Sequence, residues 1–257
     1  MLQLFHSGGL GGQIYKVSIE NEEFLVKCEL YEQSLNEFVA HSLISAIGLP
    51  APKAALVKID KAELAKMNLS DVPIDVFGAV CYLPGLKRVS DKEVFKSDDQ
   101  SRILTYLELL LLDRMLGNED DTVEIYEDAV GKLYLLDLGE ALISTTLLFS
   151  FIKKDDYLEW LTIHLKSMNA ARISYNIENA KKTCLYRMKL NNYMDESMLQ
   201  EAALDITIRL AELDMRKMRS CLLGLNKAYG EQVSEVYRQY LKKLRYACRL
   251  IVKYTDK

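Results

Sequence analysis

The chain has 257 residues, a formal net charge of −4, and 49% hydrophobic against 27% charged residues, enough for one two-lobed domain or two small ones, each with a full core. It has no long block of Lys or Arg, which argues against nucleic acid as the main partner, and no apolar run reaches the roughly 20 residues of a membrane span. Cys28, Cys81, Cys184, Cys221 and Cys248 form no CxxC pair, and His6, His41 and His164 lie far apart, so a reduced, cytoplasmic protein without a His/Cys metal site is expected.

The opening Met1-Leu2-Gln3-Leu4-Phe5 is too short and too uncharged to be a signal peptide. Ser7-Gly8-Gly9-Leu10-Gly11-Gly12 follows and precedes a strand. Glycines there let backbone N–H groups approach phosphate oxygens, although no Gly-Lys-Ser/Thr makes it a Walker loop. A flexible N-terminal turn is the plainer alternative. Gln13 to Ser18 and Glu23 to Cys28 alternate as a strand pair joined at Glu20-Asn21-Glu22. Leu35, Phe38, Val39, Leu43 and Ile47 recur at helical spacing, which predicts a helix over Ser34 to Ile47. Gly48 stops it, and Pro50 and Pro52 force extended backbone. Ala54 to Ile59 reads as a third strand, Asp60 to Met67 as a short helix, and Phe77 to Leu83 as a fourth strand ended by Pro84-Gly85.

From about Ser97 the pattern turns helical. Asp98 to Leu116 is a long apolar helix, and Tyr126 with Leu133 to Leu136 predicts a short hairpin around Ala129-Val130-Gly131. Nearly everything after Asp137 reads as helix, with Trp160 as a core residue. Val233, Val236, Tyr237, Tyr240, Leu241, Leu244, Ala247, Cys248 and Ile251 follow the 3.6 period most clearly. That helix could dock on the domain or pair with a second copy. The expected architecture is α+β and two-lobed: residues 1–84 as a small β-rich N-lobe, residues 85–257 as a larger helical C-lobe, with a hinge near residues 84–97.

Two carboxylates stand out. Asp120, in Gly117-Asn118-Glu119-Asp120-Asp121, sits in a loop after the apolar helix, where it can orient or deprotonate an acceptor hydroxyl. Asp137, in Leu135-Leu136-Asp137-Leu138-Gly139, ends an apolar strand, where a carboxylate is costly unless a cation or hydrogen bonds satisfy it. That makes it a candidate Mg²⁺ ligand on a nucleotide. An acidic solvated loop and a strand-ending turn are the ordinary alternatives. Asp113 offers a rival frame, with Asn118 five residues on, but its helical surroundings favour an ion pair or loop cap, with Asn118 bracing the turn. Lys27 closes Phe24-Leu25-Val26-Lys27 and can reach the α/β-phosphates as a point charge, and Glu37 on the next helix can pair with it. Singly, these two read as an edge-strand lysine and a solvated glutamate.

Together these pieces resemble the HipA-like branch of the protein-kinase-like superfamily over roughly residues 5–145. The family helix reads N-E-x-x-A-S-x-L-x-x-x-L-G-L-P-x-P, and this chain has Asn36-Glu37-Phe38-Val39-Ala40-His41-Ser42-Leu43 and then Ile47-Gly48-Leu49-Pro50-Ala51-Pro52. Leu112-Asp113-Arg114-Met115-Leu116-Gly117-Asn118-Glu119-Asp120 is similar to the family's F-D-x-L-I-G-N-x-D, and Leu136-Asp137-Leu138-Gly139 to its I-D-x-G. The resemblance implies ATP and Mg²⁺ as cofactors and a Ser/Thr kinase activity. It implies Asp120 as base, Lys27 on the phosphates oriented by Glu37, and Asp137 on the metal. Gly8, Gly9, Gly11 and Gly12 would cover the phosphates, and the stretch Ala79 to Leu83, with Cys81 and Leu83, would meet the adenine.

The chain departs from the family after Asp120, where Arg-His is replaced by Asp121-Thr122 and the second metal-ligating Asn by Ile125. Glu124, one residue short of that place, is the candidate substitute metal ligand if the loop is shortened. Ser144, Thr145 and Thr146 are candidate autophosphorylation sites. The implied partners are a protein substrate and, by family habit, an antitoxin or other regulatory protein, with no direct nucleic acid and no membrane. The alternative function is a pseudokinase or nucleotide-binding interaction module acting through the helical lobe. A third reading is a helical regulator whose N-terminal part only resembles a kinase lobe.

Overall fold

The computed structural model describes residues 2–7, 13–72, 74–118, 123–142 and 170–255. Its N-terminal sheet has five antiparallel strands where the alternation predicts four. β1 (Leu2–Ser7) pairs with β2 (Gln13–Ile19), and β2 with β3 (Glu22–Val26). β3 then pairs with β5 (Val76–Cys81), which closes the sheet against β4 (Ala54–Lys58). The β2–β3 turn is tight because Glu20 and Asn21 both take positive φ, 47° and 69°, the twist that suits a two-residue hairpin. β3 is interior, between β2 and β5, so Lys27 just past its end is not an edge-strand residue.

Helix α1 (Tyr31–Ala46) lies across this sheet. Glycine at position 78 permits the approach: a Cβ there would stand 1.9 Å from the Ser34 carbonyl oxygen. The short α2 (Lys61–Lys66) follows β4 and places Leu64 in a core that includes Tyr15, Phe24, Val26, Tyr31 and Phe77.

The second half begins with β6 (Lys87–Arg88) and α3 (Asp91–Val94), the latter opened by a capping box between Ser90 and Glu93. The long helix α4 (Gln100–Met115) is capped by Asp99, whose carboxylate accepts from the N–H groups of Ser101 and Arg102. β7 (Glu124–Glu127) and β8 (Leu133–Leu136) form the predicted hairpin, and β6 adds a third strand to it. α5 (Ala170–Leu190), α6 (Glu196–Ala211), α7 (Arg219–Tyr229) and α8 (Glu231–Thr255) complete the chain. The last of these docks on the domain, packing against α5, α6 and α7 through Val236, Tyr237, Leu241, Leu244 and Cys248. No helix among the described residues is long and apolar enough to cross a membrane.

Although α1 rests on the sheet, its apolar stripe of Leu35, Val39, Leu43 and Ile44 belongs to the same core as α4, α6 and α8. The helical lobe also grips its end. Lys217 Nζ donates to the Ala46 carbonyl at 3.1 Å and Arg209 Nη1 to that of Ile47 at 3.3 Å. α1 has no basic residue in its own last turn, so two cations from elsewhere satisfy carbonyls left open at its negative end.

Candidate active site

The sheet, α1 and the hairpin bring three sequence-remote side chains to one point. Lys27 Nζ lies 2.7 Å from Glu37 Oε1 and 2.6 Å from Asp137 Oδ1, with Gln33 Oε1 at 3.4 Å. The lysine is buried, and burial alone would drive it toward the neutral form. The carboxylates of Glu37 and Asp137 outweigh that pull and raise its pKa above the ordinary value, so the ammonium is kept. Burial pushes the Glu37 carboxyl up, against the opposing pull of Lys27. Asp137 differs from Glu37 in exposure: its side chain is 45% accessible, and its backbone is left-handed with φ 54°. Asn118 Nδ2 supports that turn by donating to the Asp137 carbonyl at 3.3 Å and to Asp113 Oδ1 at 2.7 Å. Asp113 is fully buried, and Arg114 Nη1 ties the loop by donating to the Asn118 carbonyl at 3.0 Å. Asp113 and Asn118 thus brace the loop, the role their helical setting suggests.

Lys27, Glu37 and Asp137 line a cleft of about 560 Å³ between the sheet and the hairpin. Ile14, Val26, Val80 and Leu86 supply apolar walls, with Tyr126 and Leu136 from the hairpin. Such a mixture of apolar walls and few charges is what a small-molecule site needs. Cys81 and Leu83 line the same cleft, at the connection between the lobes. The N–H of Cys81 is spent on the Lys53 carbonyl and that of Tyr82 on the Glu23 carbonyl, both at 2.7 Å. Among the described residues the N–H of Leu83 has no such partner, so Leu83, rather than the amide of Cys81, is the donor the connection offers to a ligand.

Glu124 also faces the cleft, but its carboxylate is already engaged. Arg88 Nη2 lies 2.8 Å from its Oε1, and the Tyr126 hydroxyl donates to its Oε2 at 2.8 Å. Ile125 is buried in the helical-lobe core and has no metal-binding chemistry. Asp120, Gly8, Gly9, Gly11, Gly12, Asp121, Thr122, Ser144, Thr145, Thr146 and Trp160 lie outside the described residues.

Sequence reasoning quotes Asn36 in a motif but gives it no task. Its side chain is fully buried; Nδ2 donates to the Gly139 carbonyl at 2.8 Å, and Oδ1 accepts from the Tyr237 hydroxyl at 2.9 Å. One amide therefore joins α1, the loop after Asp137 and α8. Gln33 adds a second tie, donating to Glu140 Oε1 at 2.5 Å. A polar Asn inside an apolar helical stripe is the one signal that could have drawn notice to it.

No protein-family model matches the sequence, and no curated protein matches it. Among solved structures the chain is similar to the crystal structure of a Helicobacter pylori proinflammatory kinase, CtkA. The TM-score is 0.52 at 12% identity, over 97% of this chain and 94% of that one. At that identity the likeness speaks for the fold alone. The fold is that of a two-lobed kinase. In this chain it consists of a small antiparallel sheet and a larger helical part.

Proposed function

We propose that this chain is an ATP- and Mg²⁺-dependent phosphotransferase, a HipA-like Ser/Thr kinase that moves the γ-phosphoryl group of ATP to a protein hydroxyl. The observation that carries the reading is the lysine held at 2.7 and 2.6 Å by carboxylates from α1 and from the end of β8, inside an apolar cleft. A buried ammonium gripped from two sides is rigid, and a rigid cation positioned for phosphate oxygens is what phosphoryl transfer requires of a protein. Lys27 holds the triphosphate, and Glu37 fixes the lysine. Leu83 offers its amide to the purine, which Val26, Val80 and Leu136 flank. By the resemblance, Asp120 takes the proton of the acceptor hydroxyl as the new O–P bond forms and the bond to the ADP leaving group breaks.

The donor set suits a hard divalent ion. Asp137 is half exposed toward the cleft and uses only Oδ1 on Lys27, and Glu124 presents a second carboxylate to the same space. Asp137 and Glu124 are the residues that would hold Mg²⁺, which when bound neutralises phosphate charge. Glu124 would have to share its oxygens with Arg88 and Tyr126. A protein acceptor and a regulatory or antitoxin partner belong to the same proposal.

The test is transfer of label from ATP in the presence of Mg²⁺ to the chain itself or to a protein panel, with Lys27→Met and Asp137→Asn as controls. Label that both substitutions abolish supports the reading; transfer that neither affects, or no transfer at all, refutes the kinase. A second reading draws on Glu124 being tied to Arg88 and on buried Ile125 standing where the family has a metal-binding Asn. It is a pseudokinase that binds nucleotide and acts through its helical lobe. Mg²⁺-independent ATP binding without transfer selects it.

A further inference from the structure

A second cavity, of about 630 Å³, adjoins the cleft that holds Lys27 and shares His41 and Pro52 with its lining. Its walls come from α1, from the extended stretch that leads into β4, and from α7 with the turn before it. The polar groups facing it share one character. Lys53, Lys217, Ser45 and Ser220 line it, and no carboxylate does. Lys53 is paired with Glu22. Lys217 makes no ion pair among the described residues, and its Nζ donates to the Ala46 carbonyl at 3.1 Å. Phe38, Pro52 and Leu56 give the cavity an apolar side.

His41 is the decisive residue. It lines both this cavity and the catalytic cleft and is only 1% exposed, yet its Nδ1 has no hydrogen-bond partner among the described residues. A buried ring nitrogen left unpaired is costly, and such groups ordinarily meet a ligand or an ordered water. The volume falls in the range of small-molecule sites, about 300–1,000 Å³. The ammonium of Lys217, which makes no ion pair among the described residues, with hydroxyls, an imidazole and apolar side chains in the same lining, selects a ligand with an anionic head and a hydrocarbon body.

We propose that this cavity is a second ligand site, for a small organic anion of the carboxylate or phosphate-ester class, and that its occupancy is coupled to the catalytic cleft through α1. His41 lies one turn beyond Glu37 on the same helix, so i and i+4 share a face. Lys217 grips the end of that helix. A ligand drawn onto Lys217 and His41 braces the element that holds Glu37 on Lys27, and by linkage nucleotide and anion each tighten the other's binding. The anion site stands independently of the kinase reading; only the coupling rests on it.

The experiment uses the full chain and four probes: hexanoate, benzoate, phenyl phosphate and the neutral benzamide. Binding is followed by calorimetry and thermal shift. The expected result is binding of at least one anion and not of benzamide; the carboxylate and phosphate arms identify the head group. Lys217→Met keeps the aliphatic stem and removes the charge, and should weaken that binding by about tenfold or more, the worth of a charged hydrogen bond. Ser45→Leu fills the cavity from α1 and should abolish binding while leaving the circular dichroism spectrum unchanged. Equal binding of benzamide overturns the proposal, as does binding of none of the probes. So does anion binding that survives both substitutions but is lost in Lys27→Ala, which would place the probe in the catalytic cleft. Anion binding sensitive to Lys217 in a protein that takes no ATP sustains the site and refutes the kinase reading instead.

Discussion

Asn36 has no exposed surface, and both ends of its amide are engaged, one by the Gly139 carbonyl and one by the Tyr237 hydroxyl. Asn36→Leu would leave a carbonyl and a hydroxyl without that partner, at a cost of about 2–3 kcal/mol. Tyr237→Phe removes one bond and should cost about 1 kcal/mol. Urea denaturation of both single variants and the double variant should therefore show non-additive losses, because the two side chains share one bond; strictly additive losses would sever the proposed link between α8 and the site. His41 gives a pH prediction. Burial and, to a lesser degree, Lys27 hold its pKa down to about 4 from 6.5, with Asp137 opposing, while Lys53, Lys217 and Cys221 line the cavity it faces. The unfolded chain then binds the extra proton first as pH falls, so stability drops between about pH 6.5 and pH 4. At pH 4.5 the loss from this one group amounts to about 2–3 kcal/mol. His41→Asn should show a correspondingly flatter stability curve over that window in denaturation at stepped pH; an unchanged slope would mean the imidazole titrates normally. The contrast with Lys27, Glu37 and Asp137 is instructive. Those three are legible in the sequence because a charge in an apolar strand or beside a helix motif breaks a local pattern. Tyr237 breaks none, since its hydroxyl rides on a ring that the helical period already assigns to the core.

At the scale of elements, the site depends on how closely α1 approaches its neighbours, and glycines set both distances. A Cβ at Gly78 would meet the Ser34 carbonyl oxygen at 1.9 Å and its carbon at 2.6 Å, and backbone cannot swing aside. Gly78→Ala should therefore push α1 off β5, destabilising the chain by about 3 kcal/mol or more and weakening nucleotide binding along with it. At Gly139 the contacts are Gln33 Cβ at 2.8 Å, its Oε1 at 3.0 Å and its Cδ at 3.2 Å. The far end of that side chain can move but its Cβ cannot, so Gly139→Ala should cost about 1–3 kcal/mol, less than Gly78→Ala, and should act chiefly on the loop that carries Asp137. Thermal denaturation and nucleotide titration of the two variants check the order; equal effects on both readouts would count against it. Neither contact is written in the local sequence, because each joins segments remote in the chain. The same holds for the strands that periodicity overlooks. β6 is two residues long, too short for any alternation, and β1 is an edge strand whose Leu4 stays exposed. α4 is legible to within two residues at each end, since an apolar run fills it, whereas the Asp99 cap shows only in the structure.

Across the whole molecule, the helix that carries Glu37 shares its core with the helical lobe, while the strands behind Lys27 have a core of their own. Composition and order along the chain were sufficient to place a β-rich part before a helical part. They could not say that α1, early in the sequence, would be held from both sides, because the Arg209, Lys217 and Tyr237 contacts span more than 160 residues. Lys27 therefore bridges two separately packed bodies, and a ligand that fills the cleft between them stabilises their union. At a concentration one hundred times its dissociation constant, a nucleotide that binds only the folded state adds about 2.7 kcal/mol. In a chain of this size that is a rise in melting temperature of roughly 5–10 °C. The rise should be larger with Mg²⁺ than with ATP and a chelator, since Asp137 is repelled by bare phosphates and attracted by a metal-bound triphosphate. Asp137→Ala removes both effects, so in that variant the Mg²⁺ and chelator curves should coincide while Lys27 still anchors the nucleotide. A Mg²⁺-dependent shift that persists in Asp137→Ala would move the metal away from the end of β8 and onto Glu124 or Glu37, the other described carboxylates of the cleft.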